Sequence, residues 1–367
     1  MQESTLYQRR ERLDKIIDGL GLEDVYGATI ERIKAQGGDK SRLGMGALMW
    51  ISYAERPLTP DELCHALSIE LGSTYFNVLN MPSIMTLMNC CQGLITVDKE
   101  ASTVQLVHFT LREYLSAHPD IFTGSHSGMA EICLTYLNCP QVKVLSADSL
   151  DNLYTLMDDN RFLAYCSLYW GVHAKNHLSN CAMSLDLQLL SEYDGHISAP
   201  SLVEQVWSYP QSLYTGSPWS GLHCASYFRI AEVVTALMQM RRHDLNEGDY
   251  LGCTALSLAS EMHEGVVKML LGQEEVNPDK TCDEDGTPLW YAALNGREGV
   301  VKILLSLRQV NPDRPDNLGR TPLSQAAKYG HEVVVKMLLG REGSTQTSQI
   351  MWVEHLSLMP QREDMKG

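Results

Sequence analysis

The sequence predicts a mainly α-helical protein whose last third is a solenoid of stacked helical repeats. The first observation is an apolar hexapeptide, Val-Val-Lys-Met-Leu-Leu or its Ile variant, which begins at Val266, Val300 and Val334, each copy 34 residues after the one before. The second is Val-Asn-Pro-Asp, which begins at Val276 and Val310 with the same spacing. Self-similarity at a period of this length is typical of repeat architectures, in which each unit packs on its neighbours.

A second apolar block precedes each hexapeptide and predicts the other helix of the unit. It begins with Thr-Ala-Leu at Thr254 and with Thr-Pro-Leu at Thr287 and Thr321, and a weaker copy, Ser-Gly-Leu, begins at Ser220. Thr caps the free amide groups at a helix start, and Pro suits the first helical turn. Each unit is therefore predicted to contain a turn, a short helix, a second turn and a longer helix with one apolar stripe.

This pattern resembles the ankyrin repeat, a unit of about 33 residues that carries a Thr-Pro-Leu-His-x-Ala box. We expect a C-terminal ankyrin-repeat solenoid of about four units over residues 218–343, divided at 218–251, 252–285, 286–318 and 319–343. Two departures concern the turn between the helices. The second unit is one residue shorter at Met262 and His263, and the first unit has Arg229 where the later units have Gly296 and Gly330.

The resemblance implies that the repeats bind a protein partner through the turn tips and the inward face of the first helices. At the tips it selects Tyr250, Glu284, Asp285, Asn317 and Arg320. On the inward face it selects Tyr291, Asn295, Gln325 and Tyr329. Each of these residues alone is also compatible with ordinary solvated surface, but exposed Tyr groups on a rigid scaffold are typical binding anchors.

The region before the repeats predicts a winged-helix domain over residues 41–122. Apolar segments at 43–54, 63–68 and 83–91 predict three helices, and Thr59 to Glu62 forms a capping box before the second. Segments 94–97 and 103–107 have strand composition and are joined by polar residues. A second capping box, from Thr110 to Glu113, predicts the last helix. Three helices, a hairpin and a helix form the winged-helix plan.

Two stretches of this region, Leu48-Met-Trp-Ile-Ser and Leu106-Val-His-Phe-Thr-Leu-Arg-Glu-Tyr-Leu, resemble one known domain. It is the winged helix that follows the NACHT ATPase in fungal NACHT–ankyrin proteins and is also named after GPI inositol-deacylase. Residues 21–26 and 130–138 extend the similarity, which covers about 13–343. It implies a helical remnant of a NACHT-closing segment at 1–40, a helical linker region at 123–217 and a tail at 344–367.

The apolar stretch 350–358 within that tail leaves two alternatives open. It is either a cap on the last repeat or the out-of-register end of a longer array, because solenoids need a terminal unit that covers the open end of the core.

The family implies an adaptor of NLR-like type, with a role in fungal innate immunity or non-self recognition. The sequence contains no Gly-x-x-x-x-Gly-Lys-Ser/Thr loop to hold phosphates, so we expect no cofactor. The alternative is a truncated regulatory fragment of a NACHT ATPase that acts with a nucleotide-binding partner chain. In the NLR-type class a His in a similar stretch contacts the phosphate of bound ADP. His108 is the corresponding candidate here, and the alternative is a His packed at a strand end without a ligand.

The composition weighs against several other classes of function. The formal net charge is −16, and segment 83–91 has no Lys or Arg, so DNA binding by the winged helix is a weaker hypothesis. The twelve His and ten Cys residues show no spacing typical of metal sites, and the cysteines are expected to be buried thiols. We expect no metal, nucleic-acid or membrane partner. The absence of a signal peptide and of a spanning segment predicts a cytoplasmic location.

One short motif raises the question of hydrolase activity. Gly124-Ser-His-Ser-Gly is similar to a nucleophile elbow but has His126 where that motif requires Ser. No strand is predicted before it, so we expect a polar linker there and a non-enzymatic protein.

Overall fold

A computed structural model describes residues 21–73, 77–146, 150–175, 179–200, 202, 219–240 and 244–340. The predicted tail at 344–367 and the first half of the predicted helical remnant lie outside these residues. The predicted mainly α fold is confirmed. The chain divides into two compact units, one of residues 1–144 and 151–179 and one of residues 145–150 and 180–367. Among the described residues, no helix is long and apolar enough to span a membrane.

The first unit contains the predicted order of three helices, a hairpin and a helix, preceded by one more helix. The elements are α1 (Leu22–Lys34), α2 (Gly38–Tyr53), α3 (Pro60–Ser68), a 3-10 turn (Val78–Asn80), α4 (Ile84–Cys90), β1 (Ile95–Asp98), β2 (Thr103–Leu106) and α5 (Phe109–Ala117). The strands pair antiparallel, with Ile95 opposite Leu106. Leu58 adds an isolated bridge to Val104, which ties the hairpin to the turn before α3.

The two predicted capping boxes have different outcomes. At the start of α3 the Thr59 hydroxyl accepts a hydrogen bond from the Glu62 amide, and the Glu62 carboxylate accepts one from the Thr59 amide, as predicted. At the start of α5 the prediction was wrong. His108 is the cap there, and its Nδ1 accepts from the Thr110 amide at 3.3 Å. The Thr110 hydroxyl instead lies 2.8 Å from the hydroxyl of Tyr26 in α1.

Four further helices lie between α5 and residue 175 in the described part of the chain. After a 3-10 turn (Pro119–Phe122) they are α6 (Ser125–Asn138), α7 (Pro140–Lys143), α8 (Leu150–Asp159) and α9 (Arg161–Ala174). The segment around His126, predicted as a polar linker, is instead the first turn of α6. Helices α6 and α9 pack along each other, and α9 also contacts α3.

Part of the predicted linker region therefore lies in the core of the first unit. Trp50 of α2 is fully buried, and its ring centroid lies 5.7 Å from that of Phe162 and 5.6 Å from that of Tyr165, both in α9. Both contacts are edge-on, the arrangement that aromatic pairs prefer. The domain boundaries drawn from the sequence stay predictions, but these contacts join α9 to the winged helix.

The second unit is a series of helix pairs. It begins with α10 (Asn180–Leu190) and a 3-10 turn (Tyr193–Gly195). The pairs are α11 (Gly221–Phe228) with α12 (Ala231–Gln239), α13 (Ala255–Ser260) with α14 (Glu264–Leu271), α15 (Pro288–Leu294) with α16 (Glu298–Leu305) and α17 (Pro322–Lys328) with α18 (Glu332–Leu339). Each first helix contacts the first helix of the next pair, and each second helix contacts the next second helix.

The repeated residues explain why these helices form and how they stack. The hydroxyls of Thr254, Thr287 and Thr321 each accept a hydrogen bond from the amide three residues later, which caps the first helices. In each second helix the two Val and the following Leu are buried, as in Val300, Val301 and Leu304. A single pair has no partner for this stripe, so the stripes are covered only when the pairs stack.

The turns between the paired helices use one geometry in three of the four repeats. Gly296 and Gly330 have φ of 65° and 76°, and Arg229 takes the same left-handed conformation with φ of 68°. In the second repeat the first helix has six residues instead of the seven of α15. None of the residues 261–263 has positive φ, so the shorter helix removes the need for a left-handed residue.

The residue before each of the last three second helices reaches back to the preceding repeat. Nε of Arg297 donates to the carbonyl of Glu261 at 2.6 Å, and Nε2 of His331 donates to the carbonyl of Leu294 at 3.0 Å. Nε2 of His263 lies 3.2 Å from the carbonyl oxygen of Tyr227. These contacts fix the spacing of adjacent repeats at the turns.

The two left-handed glycines give a matched pair of substitutions. A Cβ at Gly296 meets Nδ1 of His331 at 2.5 Å, whereas a Cβ at Gly330 meets no atom of the described residues within 4 Å. Gly330→Ala is expected to lower the free energy of unfolding by about 1–2 kcal/mol because of its backbone conformation alone. Gly296→Ala is expected to cost about 1 kcal/mol more, since the His331 ring must move and its hydrogen bond weakens. Urea unfolding of the full chain measures both, and equal losses would contradict the contact.

Candidate protein-binding surface of the repeats

The turn tips of adjacent repeats are joined by backbone hydrogen bonds. The Asp283 amide donates to the Leu251 carbonyl at 2.8 Å, and the Asn317 amide donates to the Glu284 carbonyl at 3.0 Å. The side chains of Glu284, Asp285 and Asn317 are exposed. These predicted tip residues are therefore presented to solvent from a backbone that is already ordered.

Two of the tips are held by a buried carboxylate. Oδ1 of Asp249 accepts from the amides of Leu251 and Cys253, each at 2.9 Å, and its Oδ2 accepts from the indole of Trp219 at 2.9 Å. Oδ1 of Asp316 accepts from the amides of Leu318 and Arg320 at 3.0 and 2.7 Å. A side-chain acceptor inside a turn satisfies amide groups that lack a secondary-structure partner.

Cys282 occupies the equivalent position at the tip between the second and third repeats, five residues before Thr287. Its amide donates to the Gly286 carbonyl, as the Asp249 amide donates to that of Cys253 and the Asp316 amide to that of Arg320. Sγ of Cys282 is hydrogen-bonded by the backbones of Glu284 and Gly286. It also lies 3.1 Å from the hydroxyl of Tyr291. A sulfur thus replaces the carboxylate oxygens of the other tips.

The surroundings of Cys282 favour its thiolate form. A hydrogen bond from the Cys253 thiol, supported by the Tyr291 hydroxyl and the two backbone groups, outweighs burial and lowers the pKa of Cys282 to about 6. The same sulfur, together with burial, raises the pKa of Cys253. All ten cysteines are free thiols, and nine are buried. Cys282 differs from the other buried thiols because it occupies a turn position that an Asp carboxylate fills in the neighbouring tips.

The remaining predicted site residues differ in accessibility. Tyr250 and Gln325 are buried, with 8% and 2% of their surface exposed. Tyr291 is half-buried, and its hydroxyl contacts Cys253 and Cys282. Arg320 is also half-buried, with its guanidinium over the ring of Trp290 and paired with Asp316. Asn295 is half-buried and Tyr329 is 53% exposed.

Two residues that were not among the predicted site residues, Met262 and Lys328, lie at the same end of the first helices. Met262 is 39% exposed and lies eight residues after Thr254, as Asn295 follows Thr287 and Tyr329 follows Thr321. Lys328 is exposed, with its ammonium group 5.1 Å from the centre of the Tyr329 ring. Both positions can be found by counting residues from the capping Thr of each repeat, since Lys328 is seven residues after Thr321 and Met262 is eight after Thr254. The spacing of the apolar residues in the second helices does not indicate them.

The exposed tips carry a concentration of negative charge. Asp283, Glu284 and Asp285 are consecutive and all exposed. The tip between the second and third repeats is therefore acidic at neutral pH.

His108, the candidate in the winged helix, is exposed at the start of α5. Its ring lies 4.4 Å from that of Phe109 between centroids, and Val107 and Phe109 are 50% and 66% exposed. Its Nδ1 caps α5, so the described contacts of the ring are explained by the helix start.

The thiolate of Cys282 gives a pH-dependent signal. We expect one thiolate, detected by ultraviolet absorbance, to titrate near pH 6 in the native chain and to be absent in Cys282→Ser. Since the native pKa lies below the ordinary value of 9.0, the thiolate stabilises the fold fully above pH 9 and this contribution is lost as the pH falls through 6. Cys90→Ser is the control, because burial raises the pKa of Cys90. A native titration curve that is the same in Cys282→Ser would contradict the assignment.

Two protein-family models match separate parts of the chain. The family model described as ankyrin repeats (3 copies) matches residues 263–349. The model for the GPI inositol-deacylase winged helix domain matches residues 31–130. A search of the curated proteins found no match. The chain therefore carries a winged helix domain of the GPI inositol-deacylase type and ankyrin repeats, which are typical of protein–protein interaction modules.

Proposed function

We propose that this protein is a non-enzymatic adaptor that binds a protein partner through its repeat surface, defined as Glu284, Asp285, Asn295, Asn317 and Tyr329. The observation that carries the proposal is the backbone ladder between adjacent tips, because it presents the exposed side chains without a large ordering cost on binding. Tyr329 supplies an aromatic anchor at one end, the type of residue enriched among binding hot spots.

The charge of the tips indicates the chemistry of the partner. Three consecutive carboxylates at Asp283–Asp285 favour a partner segment that carries Lys or Arg near a polar or aromatic contact. Rim charges of this kind mainly raise the association rate and select against acidic partners. Binding is then expected to weaken as the salt concentration rises.

The order of domains supports a more specific role. A winged helix followed by ankyrin repeats is the arrangement of the fungal NACHT–ankyrin proteins that this chain resembles, and both domain types are present. We propose that the adaptor acts in an NLR-like pathway of innate immunity or non-self recognition in the cytoplasm. The repeats would recognise the partner, and the winged helix would contact the signalling component.

Two observations weigh against catalysis and DNA binding. The motif Gly124-Ser-His-Ser-Gly lies at the start of α6 after a 3-10 turn, whereas a nucleophile elbow lies between a strand and a helix. Helix α4, the third of the winged helix, has no Lys or Arg and exposes Met85 at 61%. Phosphate contacts in a DNA groove need cations that this helix lacks.

Affinity capture from native extract tests the repeat surface. The baits are the full chain, the variant Glu284→Ala/Asn317→Ala/Tyr329→Ala, and the control Lys268→Ala/Lys302→Ala/Lys336→Ala, whose residues are exposed on the second helices. A partner held by the wild type and the control is expected to be retained about tenfold less, or lost, by the first variant. Circular dichroism checks that all three chains fold.

The opposite result would place the site elsewhere. A partner retained equally by the surface variant would exclude the repeat surface, and a partner lost only from the control would move the site to the second helices.

One alternative function is favoured by the exposure of His108 with Val107 and Phe109. In this alternative the winged helix docks on a nucleotide-binding NACHT chain, and His108 contacts the nucleotide phosphate in trans. His108→Asn keeps a capping acceptor for α5 and removes the imidazole. We expect it to weaken nucleotide-dependent association with such a chain, measured by calorimetry, and to leave partner capture by the repeats unchanged. Association that is equal in the wild type and the variant would contradict the role of His108.

A further inference from the structure

Three side chains with metal-binding atoms meet in the first unit, away from the repeat surface. His126 lies in the first turn of α6, His173 in the last turn of α9, and Glu55 just after α2. One donor atom from each lies within 4.8 Å of the other two. The Nδ1 atoms of His126 and His173 are 2.8 Å apart.

The two facing nitrogens have a specific chemical requirement. Two neutral imidazoles form a hydrogen bond at this distance only if one Nδ1 carries the proton and the other presents its lone pair. If both Nδ1 atoms present lone pairs, they need a shared cation between them. The Glu55 carboxylate beside the pair supplies a negative charge that favours a cation at this point.

The outer contacts resemble those that orient metal ligands. Nε2 of His173 lies 2.8 Å from the Tyr165 hydroxyl, which also accepts a hydrogen bond from the Glu55 amide at 3.2 Å. A metal-ligating His almost always donates its second ring nitrogen to such a partner, which fixes the tautomer and the ring orientation. If Nε2 of His173 donates to Tyr165, its Nδ1 is left with the lone pair toward His126.

Aromatic rings hold the two imidazoles, and one side of the cluster remains open. His173 is fully buried, and its ring centroid is 6.5 Å from that of Trp50. The His126 ring is 5.5 Å from that of Tyr53 and is half-buried, while Glu55 is exposed. His173 is thus a fixed candidate metal ligand, while His126 and Glu55 are candidate ligands at a solvent-accessible edge. This edge provides an entry path for an ion.

We propose that Glu55, His126 and His173 form a binding site for a divalent transition-metal ion of the zinc class. Two imidazoles and one carboxylate are a known zinc ligand set, with the fourth position left to water. Zinc–nitrogen bonds of about 2.0–2.1 Å in tetrahedral geometry separate the nitrogens by roughly 3.3 Å. The two Nδ1 atoms, now 2.8 Å apart, must therefore separate by about half an ångström to admit the ion, a shift that the half-buried His126 ring can make.

A bound ion would tie the start of α6 to the end of α9 and to the turn after α2. The donors lie on segments that are distant in the sequence, so no short motif indicates the site. The proposal is independent of the repeat surface, since none of the three residues belongs to it.

Titration calorimetry of the chelator-treated full chain with Zn²⁺ tests the site. The variants are His126→Ala and Glu55→Gln, which change accessible residues, and Tyr165→Phe, which removes only the hydroxyl that orients His173. His65→Ala is the control, because its Nδ1 contacts the Asp61 carbonyl within the same unit and lies outside the cluster. We expect one Zn²⁺ per wild-type and control chain, and affinity reduced about 10-fold or more in each of the three variants.

Visible absorption with Co²⁺ in place of Zn²⁺ gives a second measurement. Bands of a tetrahedral nitrogen–oxygen site in the wild type and in His65→Ala, weakened in His126→Ala, would support the site. Absence of Zn²⁺ binding to the wild type would overturn the proposal. Binding with equal affinity in His126→Ala and Glu55→Gln would overturn it as well, because the ion would then be held by other residues such as the cysteines.

Discussion

The stacking of one helix pair on the next is the interaction on which the second unit depends. Each second helix buries two Val and one Leu, and each first helix contributes small residues such as Ala292 and Ala293 that let neighbouring helices approach closely. No single pair covers these surfaces alone. The hydrogen bonds from Arg297 and His331 to the preceding repeat then set the spacing at the turns. The ordered tips follow from this stacking, because their backbone bonds join residues that lie about one repeat apart.

The first unit depends on a different constraint, the burial of large aromatic side chains. Trp50, Phe162 and Tyr165 meet edge-on between α2 and α9. Arg56 completes the arrangement, with its guanidinium 5.4 Å from the centre of the Tyr165 ring and paired with the buried carboxylate of Glu62. The hydrogen bond between Arg56 and Glu62 raises the pKa of Arg56 despite its burial. Glu62, the second residue of the α3 capping box, thus also supports the contact with α9 through Arg56.

Features that depend on residues close together in the sequence could be predicted, whereas features that depend on contacts between distant residues could not. The repeat period and the box at Thr59 depend on neighbouring residues, and both are present. At the start of α5 the Thr110 hydroxyl lies 2.8 Å from Nδ1 of the neighbouring His108 and 2.8 Å from the hydroxyl of Tyr26, which is far away in the sequence. Tyr250 and Gln325 occupy positions expected to bind a partner but are buried. The repeat period predicts which face of a helix a residue lies on, but it does not predict how far neighbouring repeats cover that face. The meeting of His126 with His173 depends on packing between α6 and α9, which no spacing reveals.

The turns of the repeats show how far one geometry tolerates changes in chemistry. An acceptor at the start of the tip is supplied by carboxylate oxygen at Asp249 and Asp316 and by sulfur at Cys282, and the left-handed residue is Gly or Arg. The repeats therefore differ in sequence at positions where different side chains fill the same role, either as the hydrogen-bond acceptor of the tip or as the left-handed residue of the turn. The helix pair at Gly221–Phe228 and Ala231–Gln239 stacks like the later pairs, although the matched ankyrin pattern begins only at residue 263. Repeats of one solenoid can thus differ in sequence while they keep the same pair of helices.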